Sequence, residues 1–312
     1  MQCWHMQVKG NKDAYRTWCR ETIGLPIFMQ DWWLDAVCTG KDWDAILLPS
    51  GAMMPYLLRK RLGMRFTLMP QHTQIAGYLG NADSPSDIAK AIDALGLAYY
   101  YQKYPLNQSW VPELRAYGFT VNEMVTYRIN DLSDEKTLIR RFSENKRRQI
   151  KKAALLQVDE TLRADQFYTF HQRCLKKQHK PISYTLNYWQ TLYEACIAHQ
   201  AGKLIGLRDV DGELTAAVFL VYDDSTCYYL IPAYDPDKGS NGAGARLVLE
   251  SIRFAAQHNL VFDFEGSMIP GIAHHYRQFG STPTSYYSVE KTYNSLFRLL
   301  LWVNNILNRN KK

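Results

Sequence analysis

Two acids stand two residues apart in the apolar run Val261-Phe262-Asp263-Phe264-Glu265. If residues 260–265 form a strand, Asp263 and Glu265 share one face and the phenylalanines the other. Two carboxylates so placed suit general-base work on an attacking amine, because like charges resist joint ionisation and raise proton affinity. The same pair is equally able to cap the following loop or to hold an arginine. Upstream, Gly239, Gly242 and Gly244, with Ser240, Asn241 and Ala243 between them, open a helix. Backbone N–H groups there can turn toward an anion, and the helix dipole adds to the attraction. No Gly-Lys-Ser/Thr follows and the third glycine of a dinucleotide fingerprint is missing, so neither a P-loop nor a Rossmann turn is present. His274 and His275 are adjacent and point about 100° apart on a helix, and no Cys/His cluster exists, so no metal is expected. Without a Gly-x-Ser-x-Gly elbow, a hydrolase has no basis.

A second constellation is cationic. Arg140, Arg141, Lys146, Arg147, Arg148, Lys151 and Lys152 lie on one expected helix over residues 134–157, with Ile139, Phe142, Ile150 and Ala153 at helical spacing. Arg147/Lys151 and Arg148/Lys152 are like-charge i, i+4 pairs, each costing a few tenths of a kcal/mol without an anion, so the helix reads either as facing an anionic partner or as a solvated basic face. In the first half, Phe28, Trp32, Trp33 and Trp43 read either as core or as a stacking wall. Gln71 and Gln74 are placed to hydrogen-bond an acceptor.

These groups need elements to hold them. Residues 203–210, 213–222 and 226–234 read as an antiparallel meander with Asp211-Gly212 as a tight turn. Helices are expected over 12–22, 29–38, 87–95, 164–180 and 186–201, and strands over 45–48, 53–58, 66–70, 98–103 and 284–290. The two halves look alike at low resolution, which suggests an old duplication and a division into domains 1–130 and 131–312. An apolar helix over 294–309 is expected to close the second domain or to lie on a membrane surface with its cations toward anionic lipid.

Composition bounds the class. The 312 residues are 46% hydrophobic and 21% charged, ample for a core and too apolar for disorder. No apolar run reaches the roughly 18 residues of a membrane helix. Met1–His5 shows no leader pattern, so a cytoplasmic, possible membrane-peripheral chain with six reduced cysteines is expected. The net charge is +7, and residues 131–180 hold thirteen basic side chains against seven acidic. Such a patch attracts phosphates, acidic membranes or nucleic acid without choosing among them.

The order of hairpin, strand, glycine loop, helix, acidic strand, aromatic helix and strand over 211–290 resembles the GNAT acyltransferase fold. More narrowly the chain is similar to its two-domain Fem-type, BioF2-like branch. The residues carrying the resemblance are Arg147-Arg148-x-Ile150-Lys151-Lys152-Ala153 and Asp211-Gly212-Glu213-Leu214-x-Ala216-Ala217. With them stand Phe262-Asp263-Phe264-Glu265-Gly266-Ser267 and Ala273-His274-His275-Tyr276-Arg277-Gln278-Phe279-Gly280. It implies a mixed α/β (α+β) fold of two tandem GNAT-like domains, each a mostly antiparallel sheet flanked by helices. It also implies an acyl-CoA donor on Leu230, Ile231 and Ala233 and on the loop from Gly239 to Gly244. Gly239 stands where the family has Gln or Arg. Glu265 or Asp263 would be the base, and Tyr276 the acid for the leaving thiolate. The acceptor, a small molecule or envelope precursor, would lie between the domains near Arg147, Arg148, Lys151, Trp33 and Gln74. Fem-type relatives take aminoacyl-tRNA instead, so tRNA is the alternative donor, and a non-catalytic binding protein on a decayed transferase fold is a further alternative. DNA is not expected.

Overall fold

Alternating and helical apolar spacing organises the chain into elements that the computed structural model describes over residues 10–38, 43–80, 82–266 and 268–309. In chain order come α1 (Lys12–Glu21), α2 (Asp31–Val37), β1 (Trp43–Leu47), β2 (Met53–Arg61), β3 (Met64–Leu68), α3 (Pro85–Asp93), β4 (Tyr99–Tyr104), α4 (Val111–Ala116) and β5 (Thr120–Ile129). Then follow α5 (Glu135–Arg141), α6 (Glu144–Lys152), β6 (Gln157–Asp159), α7 (Ala164–Lys177), α8 (Leu186–Ala198), β7 (Gly202–Arg208), β8 (Leu214–Tyr222) and β9 (Thr226–Tyr234). The chain ends with α9 (Ala243–Gln257), β10 (Val261–Asp263), α10 (Pro270–Arg277), β11 (Thr282–Thr292) and α11 (Ser295–Arg309). Two units result. One comprises Met1–Ile23, Phe28–Met124 and Ser285–Lys312; the other comprises Gly24–Ile27 and Val125–Thr284.

The first unit builds a sheet in the order β1-β2-β3-β4-β11. Its core joins Ile46, Met54, Tyr56, Tyr100, Tyr104 and Val289 to Ile88, Ile92 and Leu95 around α3. That helix starts where the sequence favours one: Ser84 and Asp87 form a capping box and Pro85 takes the first helical position.

The second unit has the order β5-β10-β9-β8-β7-β6, antiparallel except for the parallel pair β9–β10. Buried Leu247, Val248, Leu249, Ile252 and Ala255 make α9 its central helix, packed with Val218, Leu220, Phe262 and Phe264.

Four expectations change. The helix over 134–157 is broken: Phe142 takes an extended conformation (ψ 144°) and Ser143 caps α6 through the Lys146 N–H. The break buries Phe142 edge-on to Phe279, 5.2 Å between centroids, and lets the Ser143 N–H reach the Gln278 carbonyl at 2.8 Å. The expected strand over 260–265 ends at Asp263, and Glu265 adopts φ +64°. The units do not follow a division at residue 130, because Ser285–Lys312 returns to the first unit. The tail therefore docks there rather than on the second domain: Phe297 of α11 stacks on Tyr99 and lies 5.0 Å from Phe66, both on strands whose aromatic faces need cover.

Candidate active site

Strands β9 and β10 run side by side for three residues only, Val261, Phe262 and Asp263 opposite Thr226, Cys227 and Tyr228. Beyond Tyr228, β9 continues to Tyr234, while the other chain leans toward β5. Its departure is forced by bonds. The Phe264 N–H donates to the Tyr127 carbonyl at 2.9 Å. The Arg128 Nε donates to Asp263 Oδ2 at 2.7 Å, and the Thr126 hydroxyl donates to Oδ1. Gly266, at φ +69°, brings the backbone so close to β5 that a Cβ would overlap the Val125 carbonyl oxygen and sit 2.8 Å from the Thr126 Cα. Meanwhile β9 carries a bulge: three steps from Tyr228 to Ile231 face two from Val221 to Phe219. Strand β9 thus parts from β10, and no described strand pairs with its edge beyond Tyr228. Leu230, Ile231 and Ala233 lie on this stretch; Leu230 is half-buried, while Ile231 and Ala233 are buried.

The mouth of this wedge meets the start of α9. Gly242 caps the helix at φ +79°, and a Cβ there would overlap the Gln149 carbonyl oxygen of α6. The sequence thus has glycine at 242 for two reasons, backbone conformation and close approach. Tyr234, at the end of β9, lies in ordinary contact with the Gly244 position. Amides of the first helical turn have no intrahelical acceptor and point at an anion placed there. Gly239, Ser240 and Asn241 belong to the 3-10 turn Pro236–Asn241, and their side chains lie outside the described residues, as does Ser267.

The acids do not share a strand face. Asp263 is fully buried and accepts from Thr126, Arg128 and the Glu265 N–H at 2.7 Å. With three donors and no solvent access it pins β10 to β5, a setting that does not favour its expected part as a base. Glu265 is half-buried just past the strand, in a left-handed conformation rare outside glycine. Strain of this kind gathers at functional sites. Beside it, Tyr276 of α10 stacks on Phe264 at 4.5 Å. Burial, then the negative charges of Glu265 and Asp263, push its phenol up to about 12, so it keeps its proton at neutral pH. Tyr229 and Tyr234, whose hydroxyls are bonded to each other, complete a ring of phenols also raised chiefly by burial.

The cationic and first-unit candidates fare differently. Arg147 is turned inward, its Nη1 donating to the carbonyls of Arg140 and Phe142 at 3.0 and 2.8 Å, where it closes the end of α5. Those bonds occupy Nη1, the nitrogen nearest α5, rather than leaving it for the expected substrate contact. Arg148 is exposed and 3.9 Å from Glu144, and Lys151 is exposed. Lys146, one of the cations of this helix, is buried: its Nζ lies 3.0 Å from His275 Nδ1, 3.3 Å from Gln149 Oε1 and 5.1 Å from the Phe279 ring. Burial lowers its proton affinity, and burial, Lys146 and His274 take His275 down to about 4. Trp33 is wholly buried, with its indole N–H donating to the Thr73 hydroxyl at 3.1 Å, and Gln74 is buried too. Both pack inside the first unit, since an aromatic face and an amide so enclosed satisfy the core rather than a ligand. Sequence reasoning missed Thr126, Arg128, Tyr229 and Tyr234. A threonine and an arginine alternating in an otherwise apolar stretch were the only signal for the first two.

Residues 139–277 match the acetyltransferase (GNAT) domain family. No curated protein matches the sequence. Among solved structures, FemX is similar over 93% of this chain and 98% of its own, with 12% identity and a TM-score of 0.68. L-PGS from Bacillus licheniformis covers 94% of this chain and 96% of its own, at 14% identity and a TM-score of 0.55. A tandem GNAT protein from the clavulanic acid biosynthesis pathway, solved without AcCoA, covers 90% and 95%, at 9% identity and a TM-score of 0.53. At such identities the likeness is one of fold. The chain thus carries the tandem GNAT, Fem-type fold, with the family match confined to residues 139–277.

Proposed function

We propose that the chain is an N-acyltransferase that takes its acyl group from acyl-CoA and gives it to an amine of a small or envelope-related acceptor. The observation that carries this reading is the wedge between β9 and β10 with a helix N-terminus at its mouth. An extended thioester arm fits along a strand edge that has lost its neighbour, and a pyrophosphate fits the first turn of α9. Glu265 takes the proton of the amine as its nitrogen bonds the thioester carbonyl carbon. The tetrahedral intermediate then collapses, the C–S bond breaks, and Tyr276 protonates the departing thiolate. Aminoacyl-tRNA is the second candidate donor, favoured by the exposed cations Arg148, Lys151 and Lys152 on α6.

Thermal shift with coenzyme A, acetyl-CoA and a longer acyl-CoA tests the donor, and amine screening with the responding acyl-CoA comes next. Glu265→Gln and Tyr276→Phe should each lower kcat by about 10²-fold or more, in the range of positioned acid–base groups, with melting temperature kept. No response to any CoA species would turn the reading to tRNA. Unchanged turnover would remove the substituted residue from the mechanism.

A further inference from the structure

The second unit holds a cation-lined groove outside the wedge, at the C-terminal end of α7. It measures about 860 Å³, and its lining includes Thr169, Gln172, Arg173, Lys176, His179 and Lys180. Three of these side chains carry full positive charge, and none of the lining residues is acidic. Asp235 and Asp237 are bonded to Lys177 at 2.8 Å and 2.6 Å, with Arg173 acting on Asp235 from farther off, and Asp165 and Glu213 line the adjoining pocket that Arg173 also borders. Among the described residues no carboxylate lies within ion-pair distance of Arg173, Lys176 or Lys180.

The backbone is shaped to gather these charges. His179 ends α7 at φ +56°, the left-handed conformation usually left to glycine. Its N–H donates to the Lys176 carbonyl at 3.0 Å and the Lys180 N–H donates to the Leu175 carbonyl at 2.9 Å. This closed turn carries Lys180 back beside Lys176, and Pro181 stiffens the exit from the turn. Arg173 is steadied over the Phe170 ring at 5.4 Å. Like charges at i, i+3 and i, i+4 weaken a helix unless an anion answers them. A guanidinium with two ammonium groups and an imidazole matches a phosphate better than a carboxylate, because a phosphate offers three acceptor oxygens and up to two charges. Lys177 fixes α7 to Asp235, the residue after β9, so the groove stands beside the outer end of the wedge.

We infer that Arg173, Lys176, His179 and Lys180 form a binding site for a phosphate monoester. The inference rests on the transferase reading for its purpose: the phosphate belongs either to the acceptor or to the 3′ position of the CoA nucleotide. The test is isothermal titration of the full chain with phenyl phosphate at low ionic strength. Three proteins are compared: the unaltered chain, Arg173→Ala/Lys176→Ala/Lys180→Ala, and a control of equal charge loss, Lys60→Ala/Lys136→Ala/Arg140→Ala. The expected result is at least a tenfold loss of affinity in the groove variant and less than a threefold loss in the control, with unchanged circular dichroism in both. Equal affinities, equal losses in both variants, or no binding to the unaltered chain would overturn the site. Coenzyme A and dephospho-CoA then separate the sources. If the groove variant weakens coenzyme A but not dephospho-CoA, the phosphate is the donor's. If it weakens neither while phenyl phosphate binding is lost, the phosphate is the acceptor's. Failure of the unaltered chain to bind either CoA species would count against the proposed donor alone, leaving the phenyl phosphate result to decide the groove.

Discussion

Replacing Asp263 with asparagine separates a pin from a base. The carboxylate is wholly buried and accepts from the Thr126 hydroxyl, the Arg128 guanidinium and the Glu265 N–H. Asparagine keeps the shape but offers one acceptor oxygen, so at least one donor faces an amide NH2 and the charge on Arg128 loses its counterpart. Hydrogen bonds to a charged group contribute about 1.5–3 kcal/mol each, and stranding one partner of a buried pair costs about 3–5 kcal/mol. Arg128 is about one-third exposed, and water recovers part of that loss. A destabilisation of about 2–4 kcal/mol is expected, a fall of about 5–15 °C in melting temperature for a unit of this size. The assay is scanning calorimetry of D263N, R128M and the double variant, alongside acyl-CoA affinity. Because the two residues share one interaction, the double variant should lose clearly less than the sum of the singles. Donor affinity should fall with stability, since the β5 clamp is what keeps the wedge open. A melting temperature unchanged within about 1 °C, a shift below the scale expected for such a loss, together with collapsed turnover would refute the pin and restore Asp263 as a base.

Three further outcomes are expected. Gly242→Ala meets both a left-handed backbone and the Gln149 carbonyl, so it should cost about 2–4 kcal/mol by calorimetry and weaken acyl-CoA binding; an unchanged protein would show that α6 and α9 have room to part. His171 is buried and His275 half-buried, and each is neutral, held down to about 4 chiefly by desolvation. The unfolded chain protonates them near pH 6.5 while the folded chain resists until about 4, so stability should fall as pH drops through that window, by about 2 kcal/mol per residue. Urea unfolding of His171→Gln and His275→Gln should show a flatter slope there, and an unaltered slope would contradict the assignment. Finally, α11 exposes Leu296, Leu299, Trp302 and Val303 on one side, with Arg298 at its border. The full chain should float with anionic vesicles and not with neutral ones, and Leu299→Ser/Trp302→Ser should abolish this; equal non-binding by the unaltered chain would sink the membrane contact.

What the sequence determined by itself was local. The Asp211-Gly212 turn, the apolar runs on either side of it and the glycine loop before α9 read correctly because turn chemistry and side-chain periodicity act over a few residues. Their order was enough to identify the GNAT-type fold, and Glu265 and Tyr276 were marked by position within it. Tertiary structure decided which charges are used up. Asp263 became a pin because β5, more than a hundred residues earlier, supplies Thr126 and Arg128. Arg147 turned inward because Phe142 broke the helix to reach Phe279. Lys146 found His275 and left the surface, and Trp33 found Thr73 and closed into a core. The tail left the domain it follows in sequence, because Tyr99 and Phe66 offered Phe297 an aromatic surface. A side chain's type and spacing tell what chemistry it can do, but its partner comes from a distant segment, and the partner determines whether that chemistry is spent on structure or left for a ligand.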